Sequence, residues 1–148
     1  MNHPGNGIPA FDKNGNLPPG IFKVTLEEVK TSLTWSKRRQ ELFAGLERAV
    51  DNLNAAGVLQ IYIDGSFTTN KDEPGDIDGC WVPNREVDTK ILDPVFFALR
   101  PPREAMKIKY GVDFLIAGVK LNDGGCLVED FFQIDRDGNA KGILLLDL

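Results

Sequence analysis

The chain has one histidine, His3, and two cysteines, Cys80 and Cys126, so it is short of the side chains that zinc centres and histidine-based nucleophilic relays require. Two cysteines do not make a disulfide framework, and buried thiols in a reducing compartment are the expectation. No apolar run approaches the roughly twenty residues that span a bilayer. The opening MNHPGNGIPAF lacks the charged-then-apolar order of a signal peptide. Both features point to a cytoplasmic protein with no membrane partner. With 17 Lys and Arg against 22 Asp and Glu, the formal charge of −5 argues against broad non-specific binding to nucleic acid, leaving room only for a local basic patch. Any chemistry therefore falls to carboxylates.

Against these absences stand 148 residues that are 42% hydrophobic, enough for one core. The expected organisation is an extended, turn-broken arm over residues 1–24, packed across a single domain over residues 25–148. Thr25 and Glu28 have capping-box spacing, which predicts a short helix from Leu26 to about Ser32. A second helix is predicted from near Ser36 to before Gly57, with Leu42, Leu46, Ala49, Val50 and Leu53 forming its apolar stripe. VLQIYID from Val58, IDGCWV from Ile77, VDFLIAG from Val112 and the closing KGILLLDL read as strands, and Pro101-Pro102 opens a helix from Arg103 to Tyr110 that ends at Gly111. VEDFFQ fits helix or strand equally. The fold class is mixed α/β (α+β), a mixed sheet flanked by helices.

The stretch YIDGSFTTNKDEPGDIDGCW, Tyr62 to Trp81, joins two of these strands. Residues two apart in a strand share a face, so Asp76 and Asp78 present two carboxylates together while Ile77 turns away. Two such charges repel unless water or a divalent cation lies between them, and hard oxygen donors with open positions suit magnesium. Gly65-Ser66, directly after a buried strand, offers a close backbone approach and a hydroxyl suited to phosphate. Asp113 opens the strand VDFLIAG, and if that strand lies beside the one carrying Asp76 and Asp78, it supplies a third carboxylate and a base.

Gly-Ser, a gap of about ten residues, then Asp-hydrophobic-Asp between strands resembles the signature of the nucleotidyltransferase superfamily, whose best-known fold is that of DNA polymerase beta. The resemblance spans about Ser36 to Ala117. It implies that Gly65 and Ser66 grip a nucleoside triphosphate, that Asp76 and Asp78 bind Mg2+ or Mn2+, and that Asp113 joins the metal and assists the attacking hydroxyl. IPAFDKNGNLPPG and FFQIDRDGNAKGILLLDL also resemble a group of small bacterial proteins assigned to that superfamily. Family members often carry serine before the first aspartate and an apolar residue after the second. Here Gly75 and Gly79 stand there, which predicts a less regular strand after Asp78.

Two function classes follow. As an enzyme, the protein moves a nucleoside monophosphate from a triphosphate to a hydroxyl on a protein, an RNA or a small molecule. As a binding module, it is a nucleotidyltransferase-like partner, such as an antitoxin neutralising a toxin, without turnover. Lys37, Arg38 and Arg39 at a helix start oppose the helix dipole and call for an anionic neighbour or a solvated face. Arg100, Arg103, Lys107 and Lys109 are expected as a solvated basic face. Asp93, Glu129 and Asp130 are weaker site candidates because no clear strand delivers them. FDKNGN and IDRDGN share turn chemistry, the second with a trace of a calcium loop that lacks its closing glutamate. Trp35, Phe96, Phe97, Phe131 and Phe132 are expected as packing aromatics.

Overall fold

The computed structural model describes residues 4–5, 7–97, 103–118, 127, 130 and 132–148. Strands β1 (Ile21–Val24), β2 (Gln60–Asp64), β3 (Ile77–Trp81), β4 (Val112–Ile116) and β5 (Ile143–Asp147) form one mixed sheet in the order β1-β5-β2-β3-β4. Helices α1 (Leu26–Leu33), α2 (Lys37–Ala55) and α3 (Glu104–Tyr110) complete a mixed α+β domain. The pairs β1–β5 and β3–β4 are parallel, and β2 is antiparallel to both β5 and β3.

Local chemistry sets the helix ends. Thr25 accepts from the Glu28 N–H while Glu28 reaches back to the Thr25 N–H, completing the capping box of α1. Ser36 caps α2, and at its far end Gly57, at φ 96°, carries the chain out as Val58 N–H donates to the Leu53 carbonyl. The predicted stripe of α2 is buried in full, together with Arg39, Phe43 and Gly45. It lies in one core with Ile61, Ile63, Ile77, Trp81, Val112 and Phe114, which all project from the same face of the sheet.

The N-terminal segment does more than lie across the domain. Ile8, Phe11 and Leu17 are buried in the main core, and residues 21–24, expected within the arm, form the edge strand β1. Asp12 and Asp135 close matching turns by accepting backbone N–H groups from Asn14 and Asn16, and from Asp137 and Asn139. Asn16 then joins the two turns by donating to Asp135. Arg100, Pro101-Pro102, Cys126, Glu129, Phe131 and His3 lie outside the described residues, as does much of VEDFFQ.

Gly79 was expected to loosen its strand, and the structure corrects this: β3 runs unbroken through it, paired on both sides. A Cβ there would stand 2.1 Å from the Tyr62 carbonyl oxygen and 2.9 Å from the Phe114 ring, so glycine admits a close approach of chains. Gly79→Ala should accordingly destabilise the domain by about 1–3 kcal/mol through overpacking. Urea denaturation measures this, and an unchanged midpoint would contradict the close approach.

Candidate metal and phosphate site

α3 ends at Gly111, whose φ of 68° turns the chain directly into β4, and Ile77 N–H donates to the Gly111 carbonyl. That junction fixes the register of β3 with β4, setting Asp78 beside Asp113. On its other side Asp78 lies opposite Asp64 of β2. Asp76, two residues before Asp78, projects from the same side, away from the helix-packed core. One carboxylate oxygen from each of Asp76, Asp78 and Asp113 lies within 4.8 Å of the others. The sequence expectation that β4 delivers a third acid to the pair is met by the geometry.

Crowding these carboxylates has an electrostatic cost. Burial, then the charges of Asp76, Asp113 and Asp64, push the Asp78 carboxyl up to about 7. Burial also raises Asp76, against the opposing pull of Lys107. Three hard, anionic oxygen donors held this close, on side chains still 23% exposed at Asp76 and 13% at Asp113, match the ligand chemistry of magnesium or manganese.

Gly65–Thr68 form a single 3-10 turn directly after β2. Gly65 adopts φ 75°, and a Cβ on it would fall 2.1 Å from Asp78 Oδ2. No other residue leaves room for the carboxylate, so the Gly-Ser step and the second aspartate are packed against one another. The loop beyond is fastened to the start of α2. Arg39, fully buried, donates to the carbonyls of Leu33, Ser66, Phe67, Thr69 and Lys71, with its guanidinium 3.7 Å from the centre of the Trp35 ring. Arg38 donates to the carbonyls of Pro74 and Gly75, and the Trp35 indole N–H to Asp72. Arg38 and Arg39 at the helix start are thus answered by carbonyl oxygens, whereas Lys37 is exposed to solvent. Burial lowers the Arg39 pKa to about 10, with Asp72 opposing.

Residues 9–147 match the family described as "Family of unknown function (DUF6932)". The chain belongs to the DUF6932 family. No curated protein and no solved structure matches it. Every residue of the DUF6932 site described above lies inside the matched span. Among the described residues no helix is long and apolar enough to cross a membrane.

Four further residues of this DUF6932 chain bear on the site. Asp64, at 2% exposure, ends β2 beside Asp78, and Lys141 stands 3.1 Å from its Oδ1. Burial pushes Asp64 up to about 6 despite Lys141. The expected solvated face of α3 is corrected in part: Arg103 makes a two-pronged pair with Asp113, and Lys107 lies 3.7 Å from Asp76 and 3.8 Å from Asp113. Lys109 instead pairs with Asp93, which also accepts from the Tyr110 hydroxyl and so is held apart from the cluster.

The raised carboxyls of Asp64 and Asp78 fix a pH trend for the metal-free protein. Between the ordinary carboxylate pKa near 4 and these elevated values, the folded state holds protons that the unfolded chain has lost. Stability must then fall as pH rises across that interval. In chelator, the melting temperature should drop from about pH 5 to about pH 8, and Asp78→Asn should flatten the drop. Identical pH slopes for the two proteins would contradict the assignment.

Proposed function

We propose that this DUF6932 chain is a nucleotidyltransferase-like domain that binds a nucleoside triphosphate with magnesium or manganese and transfers the nucleoside monophosphate to a hydroxyl. The observation that carries the reading is the convergence of Asp76, Asp78 and Asp113 within 4.8 Å, with Asp78 packed against the turn glycine Gly65. The resemblance of Gly65-Ser66 and Asp76-Ile77-Asp78 to the polymerase beta-like signature supports it. In the proposed reaction the acceptor oxygen bonds to the α-phosphorus and pyrophosphate departs. The acceptor's proton passes to Asp113 or to water. Asp76, Asp78 and Asp113 would hold the cation, which when bound supplies positive charge to the transferring phosphoryl group. Gly65 and Ser66 receive the triphosphate, and Arg39 keeps their turn in one conformation for that purpose. The acceptor is a protein, an RNA or a small molecule, and the setting a cytoplasmic one, with a toxin–antitoxin or defence module as the proposed context.

One observation favours the second reading, a binding module or antitoxin that acts on a protein partner without turnover. Arg103 and Lys107 already offset much of the acidic charge, so the cluster can stand as an internal ion-pair network. Calorimetry separates the two. The wild type should bind manganese with ATP, and Asp78→Asn should lose at least about tenfold in affinity. Equal binding by both proteins, or none by the wild type, would leave only the second reading.

A further inference from the structure

Arg103, at the N-cap of α3, and Lys107, four residues on in its last turn, reach the acidic cluster from one side. Arg103 occupies both oxygens of Asp113, with Nε 2.5 Å from Oδ1 and Nη2 3.2 Å from Oδ2. Lys107 places its ammonium between two carboxylates, 3.7 Å from Asp76 and 3.8 Å from Asp113, without closing on either. Asp76 and Asp113 are two of the three carboxylates that a divalent cation would need. We propose that Arg103 and Lys107 are exchangeable counter-cations: they hold the carboxylates together in the metal-free protein, yield them when a divalent cation binds, and then contact the phosphates of the triphosphate. The proposal rests on the nucleotidyltransferase reading.

The charge balance has the right sign. Three carboxylates against two basic side chains leave one formal negative charge, which attracts a cation. A divalent cation turns that into one formal positive charge, which attracts a triphosphate. Lys107 is 38% exposed and on a flexible stem, so it can move from carboxylate to phosphate without disturbing the core, whereas Arg103, 16% exposed, is the more firmly placed of the two.

The exchange requires opposite effects on two ligands from one substitution. Lys107→Gln should bind manganese alone about fivefold more tightly than the wild type, because a competing charge is gone. It should bind a non-hydrolysable triphosphate, in saturating manganese, about fivefold more weakly, because a phosphate contact is gone. Lys109→Gln removes the same charge from the same helix at a side chain paired with Asp93, and should match the wild type in both titrations. Arg103→Gln should follow Lys107→Gln in sign. Manganese affinity in Lys107→Gln that is unchanged, weaker, or equalled by Lys109→Gln overturns the exchange, as does unaltered triphosphate affinity. If the wild type binds manganese and these results are seen, the exchange fails alone. If neither the wild type nor Lys107→Gln binds manganese, the metal site of the proposed function falls with it.

Discussion

Asp76→Asn, Asp78→Asn should abolish nucleotidyl transfer, by at least about a thousandfold, while leaving the metal-free protein at pH 8 as stable as the wild type or more so. The two effects have one origin. Asp78 is pushed up to about 7 because burial and the neighbouring Asp76, Asp113 and Asp64 all disfavour its charge. Asparagine keeps the outline of the side chain and removes the repulsion, so the fold gains what the site loses. Residues kept for packing behave in the reverse way, losing stability first and activity only as a consequence. Transfer and urea denaturation measured on the same preparation test the pairing. A variant that retains transfer would remove the two carboxylates from the site, and one that is less stable at pH 8 would show that they serve the fold instead.

The largest stability effect is expected from Arg39→Met, about 3–5 kcal/mol. Its guanidinium donates to five backbone carbonyls contributed by α1 and by the loop after β2, and stacks on Trp35 in a fully buried position. Methionine fills much of the volume but leaves those carbonyl oxygens without donors. Arg39→Lys should recover only a fraction, because one ammonium cannot reach carbonyls spread around a planar fork. Denaturation midpoints give the magnitude, and limited proteolysis should locate the first cuts in residues 66–75. A loss under about 1 kcal/mol would contradict the role of Arg39 as the clamp of this loop.

The parts of this arrangement that were legible in the sequence are those that strand periodicity and capping govern. Asp76 and Asp78 fall on one face because the strand repeat is two, and the capping box of α1 is written in Thr25 and Glu28. The partnership of Asp78 with Asp113 depends on which strand lies beside which, and that is decided by the tight Gly111 turn and the parallel β3–β4 register, neither of which local sequence dictates. Arg39 was hidden by its charge. It nonetheless sits three, four and seven residues before Leu42, Phe43 and Leu46, on the buried stripe of α2, and that phase was the available signal. Asp64 and Lys141 come together from the end of β2 and the approach to β5, far apart in the chain, and carry no local mark. β1 carries no readable signal, because four residues of mixed burial behind Pro-Pro-Gly are too few to show a period.

The most direct test of the central claim is incubation of the wild type with α-phosphate-labelled nucleoside triphosphates, magnesium and cell lysate, beside the Asp76→Asn, Asp78→Asn double variant. The account predicts label on a protein, RNA or small-molecule acceptor for the wild type, dependent on magnesium, and none above background for the variant. Equal labelling by the two proteins, or no label from the wild type with any of the four ribonucleotides, would contradict it.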